Sequence, residues 1–169
     1  LTISAPLAGR RTILVGSLAL FLSGCSLFSG SGNAPMPSGS VRAEDMTATF
    51  LPMVNALRQR HGLPPLSASR VSAATAIDQA KRMALADKMN HVTSRSESPL
   101  QRFKRMGVPL PAAENIAMHQ ATPERAFQAW VNSPKHLENM LGDYRHVGVA
   151  RADSPNSGNQ NFWSMCLSQ

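Results

Sequence analysis

The feature that most limits what this chain can fold into is a change of hydrophobic period near residue 142. In "TFLPMVNALRQRHG", Phe50, Met53, Val54 and Leu57 recur at helical spacing, and similar patterns recur as far as Leu141, interrupted by "AAENIAMH", where Glu114 and Asn115 lead into a short apolar run. From Tyr144 the pattern alternates. "YRHVGVARA" sets Val147 and Val149 against His146, Gly148 and Ala150, and "NFWSMCL" (residues 161–167) is again strand-like. Residues three and four apart share a face of a helix, whereas residues two apart share a face of a strand. The turn-forming "DSPNSGNQ" (residues 153–160) between the two alternating runs predicts a hairpin. Several helices followed by an antiparallel sheet make an α+β domain built in layers.

The helices carry start and stop signals. The first ends at Gly62, Pro64 and Pro65, with His61 in its last turn, where an imidazole interacts with the helix C-terminus; Pro52 predicts a kink or a late start. In "SASRVSAATAIDQAKRMALADKMNH" (residues 67–91), Ala73, Ile77, Ala80 and Ala84 form a narrow stripe of small residues that lets another layer come close. Continued in phase, that stripe reaches His91. A helix persisting that far turns His91 inward, and one ending earlier leaves it exposed. Ser98 and Pro99 begin a short helix that Gly107 stops. Thr122 and Pro123 begin another, whose core face is Phe127, Trp130 and Val131, and Ser133 and Pro134 repeat the same chemistry, placing His136 in a new first turn.

The first thirty residues read as targeting rather than fold. Arg10 and Arg11 precede the apolar run "TILVGSLALFL" (residues 12–22), which is short for a membrane span, and "LSGC" closes it. Ser23 and Gly24 before Cys25 resemble a lipobox, so residues 1–24 are expected to be a lipoprotein signal peptide and Cys25 the acylated mature N-terminus. The other reading is an ordinary secretory signal or an anchor helix. Residues 25–42, rich in Ser, Gly and Pro, make a flexible tether, leaving residues 43–169 as one domain of ordinary size. With Cys25 acylated, Cys166 has no partner in the chain, so no internal disulfide is expected and Cys166 reads as a core thiol. The formal charge of +7 falls once Arg10 and Arg11 are removed. Arg58, Arg60, Lys81, Arg82, Arg102, Lys104 and Arg105 are scattered over helix faces, which suits a solvated surface or attraction to anionic lipid or wall polymer better than nucleic acid.

Taken in order, "NALRQRHGLPPL", His91 after the alanine-rich helix, "AENIA", "AWVNSPKHLENML" and "YRHVGVA" resemble the CAP superfamily of cysteine-rich secretory, antigen 5 and pathogenesis-related 1 proteins, also called SCP-like domains. The resemblance covers residues 45–167. It implies a three-layer α-β-α sandwich with an antiparallel central sheet, and a cleft lined by two histidines and two glutamates that in several members hold a divalent metal. His91 and His136 match the histidine positions and Glu114 the first glutamate. The second glutamate position is Ser133 here, which leaves one carboxylate.

The resemblance thus makes His91, Glu114 and His136 candidate metal ligands, with zinc the first choice of ion, since two imidazoles and a carboxylate suit it and leave a position open for water. Asn115 and Ser133 are candidates for orienting an imidazole or the carboxylate. His119 and His146 match no family position and read as structural or exposed, and Glu138, two residues from His136, does not share its face. Neither His-Glu-x-x-His nor Gly-x-Ser-x-Gly occurs. The first functional expectation is a non-enzymatic binding module, tethered by lipid to the envelope and probing lipid, wall fragment or protein through its cleft. The outer membrane, facing periplasm or surface, is the expected location. A metal-dependent hydrolase of envelope peptide or ester bonds, with Glu114 catalytic, is the alternative; a structural polar network is the third. Changing Cys25→Ala should leave unprocessed precursor and abolish incorporation of labelled fatty acid; normal processing and labelling would contradict the lipobox reading.

Overall fold

The computed structural model describes residues 40–93, 97–154, 156 and 158–169. The expected export signal, Cys25 and residues 26–39 of the expected tether lie outside them. The chain runs β1 (Arg42–Asp45), α1 (Thr47–Arg60), β2 (Ser67–Ala68), α2 (Arg70–Ala86), α3 (Pro99–Met106), β3 (Ala112–Met118), α4 (Pro123–Val131), α5 (Pro134–Met140), β4 (His146–Asp153) and β5 (Asn161–Ser168). The sheet order is β1-β4-β5-β3, with β1, β4, β5 and β3 antiparallel to their neighbours and β2 parallel to β4. The expected hairpin is β4–β5, which forms the middle of the sheet.

Both faces of the sheet are covered. On one, Ala76, Ala80, Met83 and Phe103 of α2 and α3 pack on Ile116, Ala150, Ala152, Phe162 and Cys166. On the other, Phe50, Val54 and Leu57 of α1 and Ala126 and Trp130 of α4 pack on Val147, Val149, Trp163, Met165 and Leu167. This is the layered α+β arrangement that the change of period implied, although the helices do not all precede the sheet: β1, β2 and β3 come before α4. It also explains why residues 147–150 are all buried although the sequence alternates: the small residues face a helix lying close, and the valines face larger aromatic partners.

Closeness is greatest at Gly148. A Cβ there would stand 2.0 Å from the Ala73 amide nitrogen and 2.2 Å from the Ser72 carbonyl carbon, so the backbone of α2 rests directly on β4. Beside this contact the hydroxyls of Ser72 and Ser168 meet at 3.1 Å. The face of α2 that makes the contact is wider than the expected stripe. Ala76, Gln79 and Met83 are buried with Ala73, Ala80 and Ala84, while Ile77 is only half-buried.

Local chemistry accounts for the helix ends. The Ser69 hydroxyl accepts from the Ser72 amide, Ser98 and Gln101 form a reciprocal capping box, and Thr122 accepts from the Arg125 amide. Gly107 closes α3 at φ +71°. Two expectations are corrected. Pro52 does not delay α1: the helix starts at Thr47 and carries the ring on an exposed position, losing one backbone bond. Arg58 and Arg102 are not solvated but fully buried. Arg58 donates Nε to the Pro64 carbonyl at 2.8 Å and Nη1 to the carbonyls of Met140 and Gly142 at 2.9 and 2.8 Å, so it satisfies the end of α5 from inside.

Cys166 is a buried free thiol, and burial pushes it up to about 12. Replacing Gly148 by alanine should destabilise the fold by roughly 3 kcal/mol, since no side chain can move aside to admit the methyl group. Denaturant unfolding measures this, and an unchanged midpoint would contradict the close packing of α2 on β4.

Candidate functional site

β3 is an edge strand, and the site is built around its free edge. Successive strand residues point to opposite faces. Glu114, paired across the sheet with Cys166, therefore faces α2 and α3, and Asn115, paired with Met165, faces α4 and α5. The edge is not left open. Trp130 Nε1 donates to the Ile116 carbonyl at 3.1 Å, and Asn139 Nδ2 reaches the Glu114 carbonyl at 3.5 Å. Side-chain donors thus occupy positions where another strand would pair.

On the Asn115 face, the Ser-Pro pair starts α5 afresh after α4. Pro134 takes the N1 position, but the Ser133 hydroxyl makes no cap bond to the helix. His136 lies in the first turn, half-buried. Asn115 holds that turn: its Nδ2 donates to the His136 carbonyl at 2.9 Å while its Oδ1 accepts from Asn139 Nδ2 at 2.8 Å. Asn115 therefore acts on the backbone of His136 rather than on its ring.

On the Glu114 face, the carboxylate is occupied at both oxygens. Arg102 Nη2 donates to Oε2 at 2.5 Å, and His91 Nδ1 lies 2.8 Å from Oε1. Arg102 has no exposed surface, and the Glu114 side chain is almost as deeply buried, whereas the His91 side chain is 44% exposed. A carboxylate oxygen facing Nδ1 makes Nδ1 the protonated nitrogen and leaves the Nε2 lone pair of a neutral ring directed away from Glu114. α2 ends at Ala86, where Asp87 adopts a left-handed conformation, so His91 is not delivered by a continuing helix. It is delivered by a loop. Gln79, buried on α2, donates Nε2 to the Asn90 carbonyl at 2.7 Å, and Arg102 Nη2 also approaches the His91 carbonyl at 3.5 Å.

Burial, and secondarily the charge of His91, hold His136 below the usual imidazole range. The unfolded chain then binds the proton more readily than the folded one. The contribution of a neutral His136 to stability is full above the ordinary value near 6.5 and is lost as pH falls through that value toward the folded one. A groove of about 200 Å³ opens from His136 along the β3 edge, walled by Met89, Ile116, Met118, Ala129 and Trp130, with Ser133 at its rim. A larger cavity of about 450 Å³ lies between α1 and the loop at Leu63 and Pro65, but no titratable side chain lines it, so the smaller groove is the chemically equipped one.

Of the residues singled out in the sequence, the structure brings His91 and Glu114 into contact, sets His136 within electrostatic reach of His91, and connects Asn115 to His136. Both Glu114 oxygens face protein donors, and among the described residues no group of three or more His, Cys, Asp or Glu side chains is placed to hold a metal. His119 is exposed at the end of β3 with φ +80°, and Glu138 is exposed on α5. His146 lies partly buried at the start of β4. Arg102 is the residue that sequence reasoning missed. The available signal was its place one position before the core Phe103 on a short helix otherwise rich in exposed charge.

Two measurements check this geometry. Arg102→Met should cost about 3–5 kcal/mol by stranding Glu114, while Arg102→Met with Glu114→Leu should recover much of that loss; a single variant as stable as wild type would contradict the buried pair. In a nuclear magnetic resonance titration, His136 should protonate below the ordinary imidazole value, and His91→Gln should move its midpoint upward without abolishing the effect of burial.

Comparison with known proteins agrees with this architecture. The chain is 33% identical over 112 residues to the uncharacterised protein YkwD of Bacillus subtilis, covering 65% of this chain and 44% of that one. It is 31% identical over 102 residues to the uncharacterised membrane protein YlbC of the same organism, covering 59% and 30%. The chain thus spans less than half the length of these curated relatives. Among solved structures, an extracellular SCP-domain protein of Bacillus anthracis superposes with a TM-score of 0.63 at 26% identity, over 72% of this chain and 39% of that one. An outer surface protein of Borrelia burgdorferi shares the fold with a TM-score of 0.66 at 19% identity, over 77% and 98%. The model of the cysteine-rich secretory protein family, CAP, matches residues 51–167, and the chain belongs to that family.

Proposed function

We propose that this protein is an extracytoplasmic CAP-domain binding module, held to the membrane through acylated Cys25, that takes an apolar ligand group into the groove beside His136. The observation that carries this reading is the state of Glu114. A general base needs a free oxygen directed at its proton. Each oxygen of Glu114 already faces a protein donor, Arg102 or His91, and the buried side chain does not line the groove. The groove suits binding instead. Methionine, isoleucine and alanine side chains form most of its wall, and methionine adapts to varied apolar shapes. The His136 ring, with Gln120 and Ser133, supplies polar contacts along it. An acyl chain, an apolar wall-peptide side chain or a protein loop would each match that wall.

The extracytoplasmic assignment rests on the lipobox-like "LSGC" and on the Bacillus anthracis relative described as extracellular. Outer-membrane anchoring is the finer form of the same proposal. Zinc, expected from the family resemblance, would find two imidazoles as protein ligands here, with Glu114 behind His91 as its orienting partner. That set is too small for a closed structural site.

The purified protein should retain a non-covalent apolar ligand in native mass spectrometry and lose it on Met118→Asp. With or without added zinc it should not hydrolyse wall peptides or acyl esters above buffer. Turnover that disappears in Glu114→Gln would overturn the binding reading in favour of a hydrolase.

A further inference from the structure

Around the end of α2, three large apolar side chains lie exposed within eight residues. Leu85 is 66% exposed, Met89 45% and Val92 45%. They are not scattered. Leu85 and Thr93 border one depression, so the segment after α2 folds back beside the helix, and Met89 reaches from the same segment to the wall of the His136 groove. Fixed elements hold this rim: Lys88 donates its amide to the Met83 carbonyl, and Gln79 holds the Asn90 carbonyl. Exposed apolar groups on a backbone tied down in this way are presented outward rather than left over from a loose loop.

The charges around the rim have one predominant sign. Lys81, one turn before Leu85, and Lys88, three residues after it, are exposed and make no ion pair among the described residues. The neighbouring acids are mostly spoken for. Asp78 is paired with Arg82 and Arg105, and Glu97 with the same two arginines, leaving Asp87 as the one unpaired carboxylate between the lysines. Apolar tips flanked by unpaired lysines match a surface that is negatively charged outside and hydrocarbon within.

We propose that the rim formed by Leu85, Met89 and Val92, with Lys81 and Lys88, docks on an anionic lipid bilayer and turns the mouth of the groove toward that bilayer. The lysines meet headgroup phosphates, and the three apolar side chains enter the boundary between headgroups and acyl chains. This contact is separate from any lipid on Cys25. It sets orientation, whereas a tether sets only distance.

The test uses the full chain carrying Cys25→Ser, in which the only other native thiol, Cys166, is buried and hard to ionise. A fluorophore is attached at Val92→Cys or, as a control across the sheet, at exposed Gln59→Cys on α1. Quenching by brominated acyl chains is read in vesicles of phosphatidylcholine with and without phosphatidylglycerol. Quenching at residue 92 should exceed that at residue 59 severalfold, only when the anionic lipid is present. Reversing both lysines (Lys81→Glu, Lys88→Glu) should weaken it roughly tenfold or more. Equal quenching at the two positions, no quenching at either, or quenching indifferent to anionic lipid and to charge reversal would overturn the proposal. Circular dichroism of each labelled variant confirms that these exposed changes leave the fold intact.

Discussion

A guanidinium with no exposed surface has to find hydrogen-bond acceptors inside the protein, and around Arg102 that requirement organises the site. Arg102 stands on α3, its anion Glu114 stands on β3, and Glu114 in turn holds His91 on the loop after α2. Three successive segments of the chain are thereby joined through one carboxylate. Removing two ions from water costs several kcal/mol each, so the pair is better understood as a means of fixing positions than as a large source of stability. What it fixes is the orientation of one imidazole.

The opposite face of the same strand is held without charge. Asn115 ties β3 to the first turn of α5, and the Trp130 indole closes the Ile116 carbonyl on the outer edge. Glu114 and Asn115 are neighbours in sequence but serve different layers because strand side chains alternate. The groove lies where the two layers meet, over the edge of the sheet, so that Met89 arrives from one side and His136 from the other. Neither layer alone would make it. The contact of α2 with Gly148 matters here as well, since it sets how close the helix that leads to His91 lies to the sheet.

Much of this was legible in the sequence where local chemistry decides the outcome. Ser98-Pro99, Thr122-Pro123 and Ser133-Pro134 each begin a helix where expected, and the Val147–Val149 alternation marks the strand it suggested. The Ser133 hydroxyl nonetheless caps nothing, so the proline and the chain direction carry that start. His91 was identified by family resemblance, but the suggested route along a helical stripe does not exist: the helix stops at Ala86, and tertiary hydrogen bonds from Gln79 and Arg102 position the loop. Arg58 and Arg102 were illegible for a general reason. A charged residue on a helix face is nearly always solvated, and only the partner supplied by another layer, carbonyls for Arg58 and a carboxylate for Arg102, makes burial possible. β1 was unreadable too, because "RAED" is polar and becomes a strand only by pairing with β4.

The central claim is that Glu114 is a fixed orienting group, holding His91 with its proton on Nδ1 and leaving Nε2 directed away from the carboxylate. Nitrogen-15 chemical shifts of the His91 ring, measured at alkaline pH where the imidazole is neutral, test this directly. The account predicts a protonated Nδ1 and an unprotonated Nε2 in the wild type, changing toward the ordinary mixture of tautomers in Glu114→Gln. A wild-type ring protonated at Nε2, or one indifferent to the loss of the carboxylate, would contradict it.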